Sequence, residues 1–134
     1  MAFKKLFTPT AQPQDGMTQA AREAIVDLLH FGVYVDSHIA LAEDAMVEAT
    51  ARTLNWDPNI SFDYYEGKSI GEVRRVRKDE KEREEFFQTV RDRLPNPADR
   101  KLALKLVEQL FAADGTTAVE TESLPMIRKA LALG

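Results

Sequence analysis

Apolar residues recur along much of the chain at the three- and four-residue steps of a buried helix face. The clearest stretch lies within residues 96–114, where the apolar positions are Ala103, Leu106, Val107, Leu110 and Phe111. Asn96 followed by Pro97 predicts the start of this helix, because Asn caps free amides and Pro suits the first helical position. Gly115 predicts its end, because Gly readily adopts the left-handed conformation that closes a helix. The pattern therefore indicates a central buried helix.

An earlier stretch, from Thr18 to Val35, has the same character. Its apolar face is formed by Ala21, Ile25, Leu28, Leu29 and Gly32. It stops near Asp36, and an acidic amphipathic helix follows from about Ile39 to Asn55. The helix after Asp114 also starts with acidic residues, at a Thr-x-x-Glu capping box. Two similar helix pairs, each centred on one apolar helix, predict an internal duplication.

The rest of the chain predicts further helices and one long loop. Residues 56–67 are expected to be the loop, whose aromatic side chains either cover the core or line a groove: Trp56, Phe62, Tyr64 and Tyr65. Ser69 and Glu72 predict a short helix starting at Ile70, and a peripheral helix should cover 79–94. Since no stretch alternates as a paired strand does, we predict an all-α bundle of about six to seven helices around the two apolar ones.

The length of 134 residues suits one helical domain over 17–134, preceded by an N-terminal arm over 1–16. The arm is expected to be flexible, yet it carries three apolar and two basic residues: Phe3, Leu6, Phe7, Lys4 and Lys5. They are expected either to dock on the domain or to touch a partner or a membrane. The absence of Cys excludes disulfides and thiolate metal sites.

The net charge of −4 argues against nucleic-acid binding. One cationic run, residues 74–78, is followed at once by acidic residues, which predicts a salt-bridged face. No apolar run is long enough to cross a bilayer, and the N-terminus lacks the apolar core of a signal peptide. We therefore expect a cytoplasmic protein without a transmembrane segment, and for the arm we favour docking or disorder over membrane contact.

The main candidate for chemistry is a set of acidic residues near the two predicted corners: Asp36, Glu43, Asp114, Glu120 and Glu122. Carboxylate oxygens are hard ligands, so their convergence would favour Ca²⁺, Mg²⁺ or Mn²⁺. Acidic residues also suit helix N-termini by capping and by the helix dipole. Both interpretations stay open from spacing alone.

A second candidate for a metal site surrounds the end of the first apolar helix. Asp27 and His30 are three residues apart on one helix, and Asp36 with His38 lies just beyond. The alternative is that His30 is a hydrogen-bonded structural residue, since it sits beside an apolar face.

For catalysis, the sequence contains no recognisable nucleophile–base pair, phosphate-binding Gly loop or His-rich metal motif. We therefore expect a non-enzymatic protein. Acid–base chemistry by a pair of carboxylates is the alternative.

The Ala-Ala-Asp-Gly turn at 112–115 follows a Leu-Val-x-x-Leu-Phe helix and precedes acidic residues. In this it resembles the TerB-like family, which is named for tellurite resistance and includes the N-terminal domain of the membrane-anchored co-chaperone DjlA. The resemblance covers roughly residues 17–133. It implies a compact all-helical stress-response domain with an acidic patch that binds divalent metal ions. The family pattern sets Glu seven residues after the Asp, as Glu43 follows Asp36, whereas Thr121 occupies that place after Asp114.

Two functions from different classes follow. The first is a TerB-like domain that binds a divalent ion, an unidentified protein partner, or both, through its acidic surface. The second is a metal-free interaction module that uses residues 56–65 or the N-terminal arm. A homodimer is compatible with either function.

Overall fold

The computed structural model describes residues 17–34, 41–114 and 118–132, and for 41–44, 113–114 and 118–123 that description is limited to the backbone. These residues form six α-helices and contain no strand. The helices are α1 (Gln19–Tyr34), α2 (Leu41–Thr53), α3 (Phe62–Val76), α4 (Glu80–Arg93), α5 (Pro97–Asp114) and α6 (Ala118–Ala130). The predicted all-α bundle is confirmed.

Local capping explains where several helices begin. The backbone amide of Ala21 donates to Thr18 Oγ1 at 3.1 Å, as expected for a cap at the start of α1. Asn96 Oδ1 accepts from the amide of Ala98 at 2.9 Å at the start of α5. Asp79 caps α4 in the same way. The predicted starts of α1 and α5 are therefore confirmed.

The start of α3 corrects the sequence analysis. The predicted loop over 56–67 is confirmed only for 56–61, and the predicted helix start at Ile70 is wrong, because α3 already begins at Phe62 and Ser69 is buried within it. Ser61 provides the cap by accepting from the amide of Tyr64 at 3.2 Å. Trp56 closes the preceding turn by donating from Nε1 to the carbonyl of Ile60 at 2.9 Å.

Helix α1 is the centre of the bundle. Every residue from Ala24 to Tyr34 is buried, and α1 contacts each of the other five described helices. Helix α5 supplies the second apolar element, with Leu106, Val107 and Leu110 almost fully buried. The prediction of two central apolar helices thus agrees with the packing.

Helices α1 and α3 run parallel along each other. Tyr65, in the first turn of α3, donates its hydroxyl to Asp27 at 2.8 Å. Near the other end of the pair, Arg77 donates to the carbonyl of Tyr34 at 3.3 Å. Polar groups of the two helices therefore face each other over several turns.

None of the described helices is long and apolar enough to cross a bilayer.

Candidate functional site

The five predicted metal ligands fall where the description is limited. Asp36 lies outside the described residues, as does His38. Glu43 belongs to the first turn of α2, Asp114 is the last residue of α5, and Glu120 and Glu122 belong to the beginning of α6. Only the backbone of these four is described, so the convergence of the carboxylates stays a prediction.

The last turns of α1 and α5, which precede the two predicted corners, lie against each other. A Cβ atom built on Gly32 would lie 3.0 Å from both Cε1 and Cζ of Phe111. Phe111 itself is almost fully buried. This close approach brings the C-terminal end of α1, at Tyr34, to the same end of the bundle as the C-terminal end of α5, at Asp114.

Asp27 organises a buried polar network that spacing alone did not identify. Its Oδ1 accepts hydrogen bonds from the hydroxyl of Tyr65 at 2.8 Å and from that of Ser69 at 2.6 Å. Its Oδ2 accepts from Nη2 of Arg93 at 2.8 Å. We call Asp27, His30, Tyr65, Ser69 and Arg93 the Asp27 network.

The hydroxyl of Ser69 also fixes the proton on His30. Because Ser69 has one hydroxyl proton and donates it to Asp27, its oxygen accepts from His30 Nδ1, which lies 2.8 Å away. His30 therefore carries a proton on Nδ1. Its Nε2 lies 3.7 Å from Oε2 of Glu66, beyond hydrogen-bond distance, and the imidazole is fully buried.

Burial and charge act together on the other members of the network. Burial raises the pKa of Tyr65, and the neighbouring Asp27 carboxylate raises it further. Burial alone would lower the pKa of Arg93, but the charge and hydrogen bond of Asp27 outweigh it, so the net shift is upward. Both effects keep Tyr65 neutral and Arg93 charged at neutral pH.

These contacts give the network a structural role. A nucleophilic hydroxyl needs a base for its proton and access to a substrate, whereas Ser69 is 3 % exposed and donates to Asp27. His30 is the hydrogen-bonded residue that one interpretation of its position proposed. Among the described residues, no three His, Asp or Glu side chains lie close enough together to hold a metal ion.

Sequence reasoning noted Asp27 and His30 but missed Tyr65, Ser69 and Arg93 as their partners. Tyr65 and Ser69 are four residues apart, so they share one face of a helix. The prediction of a loop at Tyr65 conceals this four-residue spacing.

A groove opens between the end of α2 and the start of α3, with a volume of about 290 Å³. We call it the Trp56 groove. Its apolar lining is Ala51, Trp56 and Phe62, and its polar lining includes Glu48, Arg52 and Asp63. The rings of Trp56 and Phe62 meet edge to face, with centroids 5.2 Å apart. The groove thus combines aromatic surface with carboxylates.

The predicted salt-bridged face is present at the cationic run. Arg75 forms an ion pair with Glu82, and Arg77 donates to the carbonyl of Tyr34 at the end of α1. Arg83 in turn donates to the carbonyl of Arg77 at 3.0 Å. The guanidinium groups of Arg75, Arg77 and Arg83 therefore connect helices.

No protein family model, curated protein or solved structure matches this chain. The resemblance to the TerB-like family therefore stays a prediction from the turn at 112–115 and the helix before it.

Proposed function

We propose that the chain is a non-enzymatic TerB-like domain of the stress-response type. In this proposal it binds a divalent cation, a protein partner, or both, through acidic corners at one end of the bundle. The observation that carries the proposal is the close approach of Gly32 to Phe111. It supports a shared surface because each of these residues lies in the last turn of the helix that precedes one corner.

Chain length restricts how far the corners can separate. Asp114 follows Phe111 by three residues within one helix, a distance of about 5 Å along the helix axis. Six residues, 35–40, separate α1 from α2, and three, 115–117, separate α5 from α6. Helix α2 packs against α1, and α6 packs against α5. In this proposal the acidic starts of α2 and α6 lie near the same end of the bundle as Asp114.

Electrostatics gives this surface its ligand class. Several carboxylates that share one end of a small domain repel each other, and a bound divalent cation relieves that repulsion. Oxygen ligands select Ca²⁺, Mg²⁺ or Mn²⁺ over softer metals. A basic segment of a protein partner would relieve the same repulsion between carboxylates, which is why the proposal includes a protein ligand.

Amide chemical shifts recorded during titration with Ca²⁺, Mg²⁺ and Mn²⁺ test the metal part. We expect shifts grouped around Asp36, Glu43, Asp114, Glu120 and Glu122, and their loss in the double variant Asp36→Asn/Asp114→Asn. The matched control is Glu84→Gln/Glu85→Gln, which removes the same charge from an exposed part of α4. If millimolar ion causes no shifts at these positions, the metal part is wrong.

A second candidate is a metal-free interaction module, and the Trp56 groove is the observation that favours it. Near this groove, Tyr64 is 76 % exposed, which is unusual for a large aromatic residue. The two candidates differ in their response to a chelator. EDTA abolishes metal-dependent binding at the acidic corners but leaves peptide binding in the groove unchanged.

A further inference from the structure

We propose that the Trp56 groove binds a short segment of aromatic residues with adjacent lysines, and that its occupant in this chain is its own N-terminal segment, residues 3–7. The inference rests on the second candidate above, in which the groove is an interaction surface. It adds the identity of the bound segment.

The start of α1 lies beside the Trp56 groove. Gln19, the first residue of α1, accepts a hydrogen bond through Oε1 from the backbone amide of Asp57 at 3.2 Å. One turn further on, Arg22 donates from Nε to the carbonyl of Leu54 at 2.6 Å. The start of α1 is therefore fixed to the segment on both sides of Trp56, and the arm joins the domain beside the groove.

The N-terminal segment is long enough to reach the groove. Residues 8–16 separate Phe7 from the buried Met17. At about 3.3–3.6 Å per residue, a chain of this length spans up to roughly 30 Å. Trp56, whose neighbour Asp57 is hydrogen-bonded to Gln19, is therefore within reach of a segment joined at Met17.

The side chains of the segment complement the lining of the groove. Phe3, Leu6 and Phe7 match the apolar lining provided by Trp56 and Phe62. A groove of about 290 Å³ lies at the lower end of ligand pockets, which suits one or two anchoring side chains better than a whole helix.

Charge favours the same occupant. The carboxylates of Glu48 and Asp63 line the groove, and Glu48 is already paired with Arg52 at 2.5 Å. Asp63 is exposed in the first turn of α3. Lys4 or Lys5 would complement Asp63 once an adjacent aromatic residue enters the groove.

Trp56 is the only tryptophan of the chain, so its fluorescence reports on the groove directly. The test variant is the full chain with Phe3→Ser, Leu6→Ser and Phe7→Ser; the matched control changes Thr8, Thr10 and Gln12 to Ala in the same arm. We expect the test variant to shift Trp56 emission to longer wavelength and to increase its quenching by acrylamide. The control variant should leave both unchanged. Unchanged emission in the test variant overturns docking of the arm.

A synthetic peptide of residues 1–12 tests the groove separately. Added to the test variant, it should restore the emission in a saturable manner. Lys4→Glu/Lys5→Glu in the peptide should weaken its binding at least tenfold, and Asp63→Lys in the protein should recover most of that loss. If the unmodified peptide fails to bind at millimolar concentration, the groove is not a binding site for this segment.

Three further outcomes contradict the inference. Peptide binding without any fluorescence difference between the full chain and the test variant would retain the groove but overturn its occupation by the arm. A Trp56 signal that depends on protein concentration would indicate a second copy as the occupant. A peptide that binds phosphatidylserine vesicles and leaves Trp56 unaffected would indicate a membrane ligand. The cation titration is independent of all three outcomes, so the metal proposal stands or fails separately.

Discussion

Asp27 on α1 and Arg93 at the end of α4 form an ion pair of 2.8 Å between residues 66 positions apart in the sequence. The second carboxylate oxygen of Asp27 accepts from Tyr65 and Ser69, both on α3. One side chain of α1 therefore connects three helices. Because Asp27 is buried and Arg93 is only partly exposed, either partner left alone would keep an unpaired charge in a poorly hydrated place.

Replacement of Arg93 by Met removes this pair while keeping an aliphatic side chain. We expect Arg93→Met to lower the free energy of unfolding by about 2 kcal/mol, less than the 3–5 kcal/mol of a fully buried pair because water reaches Arg93. The control is Arg75→Met, whose partner Glu82 is exposed, and it should cost less than about 1 kcal/mol. Urea unfolding measures both. Equal losses in the two variants would contradict a special role for the Asp27 pair.

Ser69 connects Asp27 to His30. We therefore expect Ser69→Ala to lower the free energy of unfolding more than the removal of a surface hydroxyl would. The substitution leaves His30 Nδ1 without its acceptor in a fully buried place, which we expect to cost about 1–3 kcal/mol. A double-mutant cycle with His30→Phe isolates this effect, because Phe has no donor to leave unpaired. The double variant should lose less stability than the sum of the two single variants. Simple additivity would contradict the link between Ser69 and His30.

The sequence predicts the extent of the central helix α1 closely, and it does the same for the peripheral helix α4, predicted over 79–94 and observed over Glu80–Arg93. The predicted first helix over 18–35 and the observed α1 over Gln19–Tyr34 differ by one residue at each end. This precision has a physical basis, because a helix that contacts five others must carry apolar residues at helical spacing along its length. The N-terminal caps at Thr18 and Asn96 then mark where α1 and α5 begin.

The start of α3 and the Asp27 network escaped prediction for two different reasons. Ser69 and Glu72 have capping-box spacing, whereas the residue three after the true cap, Ser61, is Tyr64, which cannot complete a capping box. The partners of Asp27 lie 38 to 66 positions away in the sequence, and local periodicity carries no information about such contacts. The same limit applies to the acidic corners, where spacing identifies carboxylates but not whether they converge.

Gly32 has a packing role that can be tested by adding a single methyl group. A Cβ atom there would lie 3.0 Å from the ring of Phe111, which is buried and has little room to move. We expect Gly32→Ala to destabilise the protein by about 1–3 kcal/mol through overpacking, despite the better helix propensity of Ala. Thermal and urea unfolding measure the loss.

Gly67 and Gly71 provide the matched controls, since both lie within α3 and a Cβ atom at either position meets no atom within 4 Å. Gly67→Ala and Gly71→Ala should each stabilise the protein by about 0.5–1 kcal/mol through helix propensity alone. If Gly32→Ala also stabilises, the ring of Phe111 does not restrict this position as tightly as the close approach implies. The close approach would then lose its weight as support for the shared acidic surface.

Asp99, in the first turn of α5, is 6 % exposed, and its Oδ1 has no hydrogen-bond partner in the structure. A helix N-terminus favours a negative charge, but burial raises the pKa of Asp99 above its ordinary value of 3.8. The folded protein therefore holds this proton more tightly than the unfolded chain does. Stability from this group is complete below about pH 4 and is lost as the pH rises through the raised pKa.

Asp99→Asn removes this titration, so the stability of the variant relative to the unsubstituted protein should increase from about pH 3.5 to pH 7. Urea unfolding of both proteins at several pH values in this range measures the difference. Glu80→Gln controls for the loss of a charge from the first turn of a helix, because Glu80 is exposed in α4. The difference in unfolding free energy between this control variant and the unsubstituted protein should change less with pH than the corresponding difference for Asp99→Asn. A difference for Asp99→Asn that stays constant with pH, or decreases as the pH rises, would mean that the helix N-terminus compensates the buried charge.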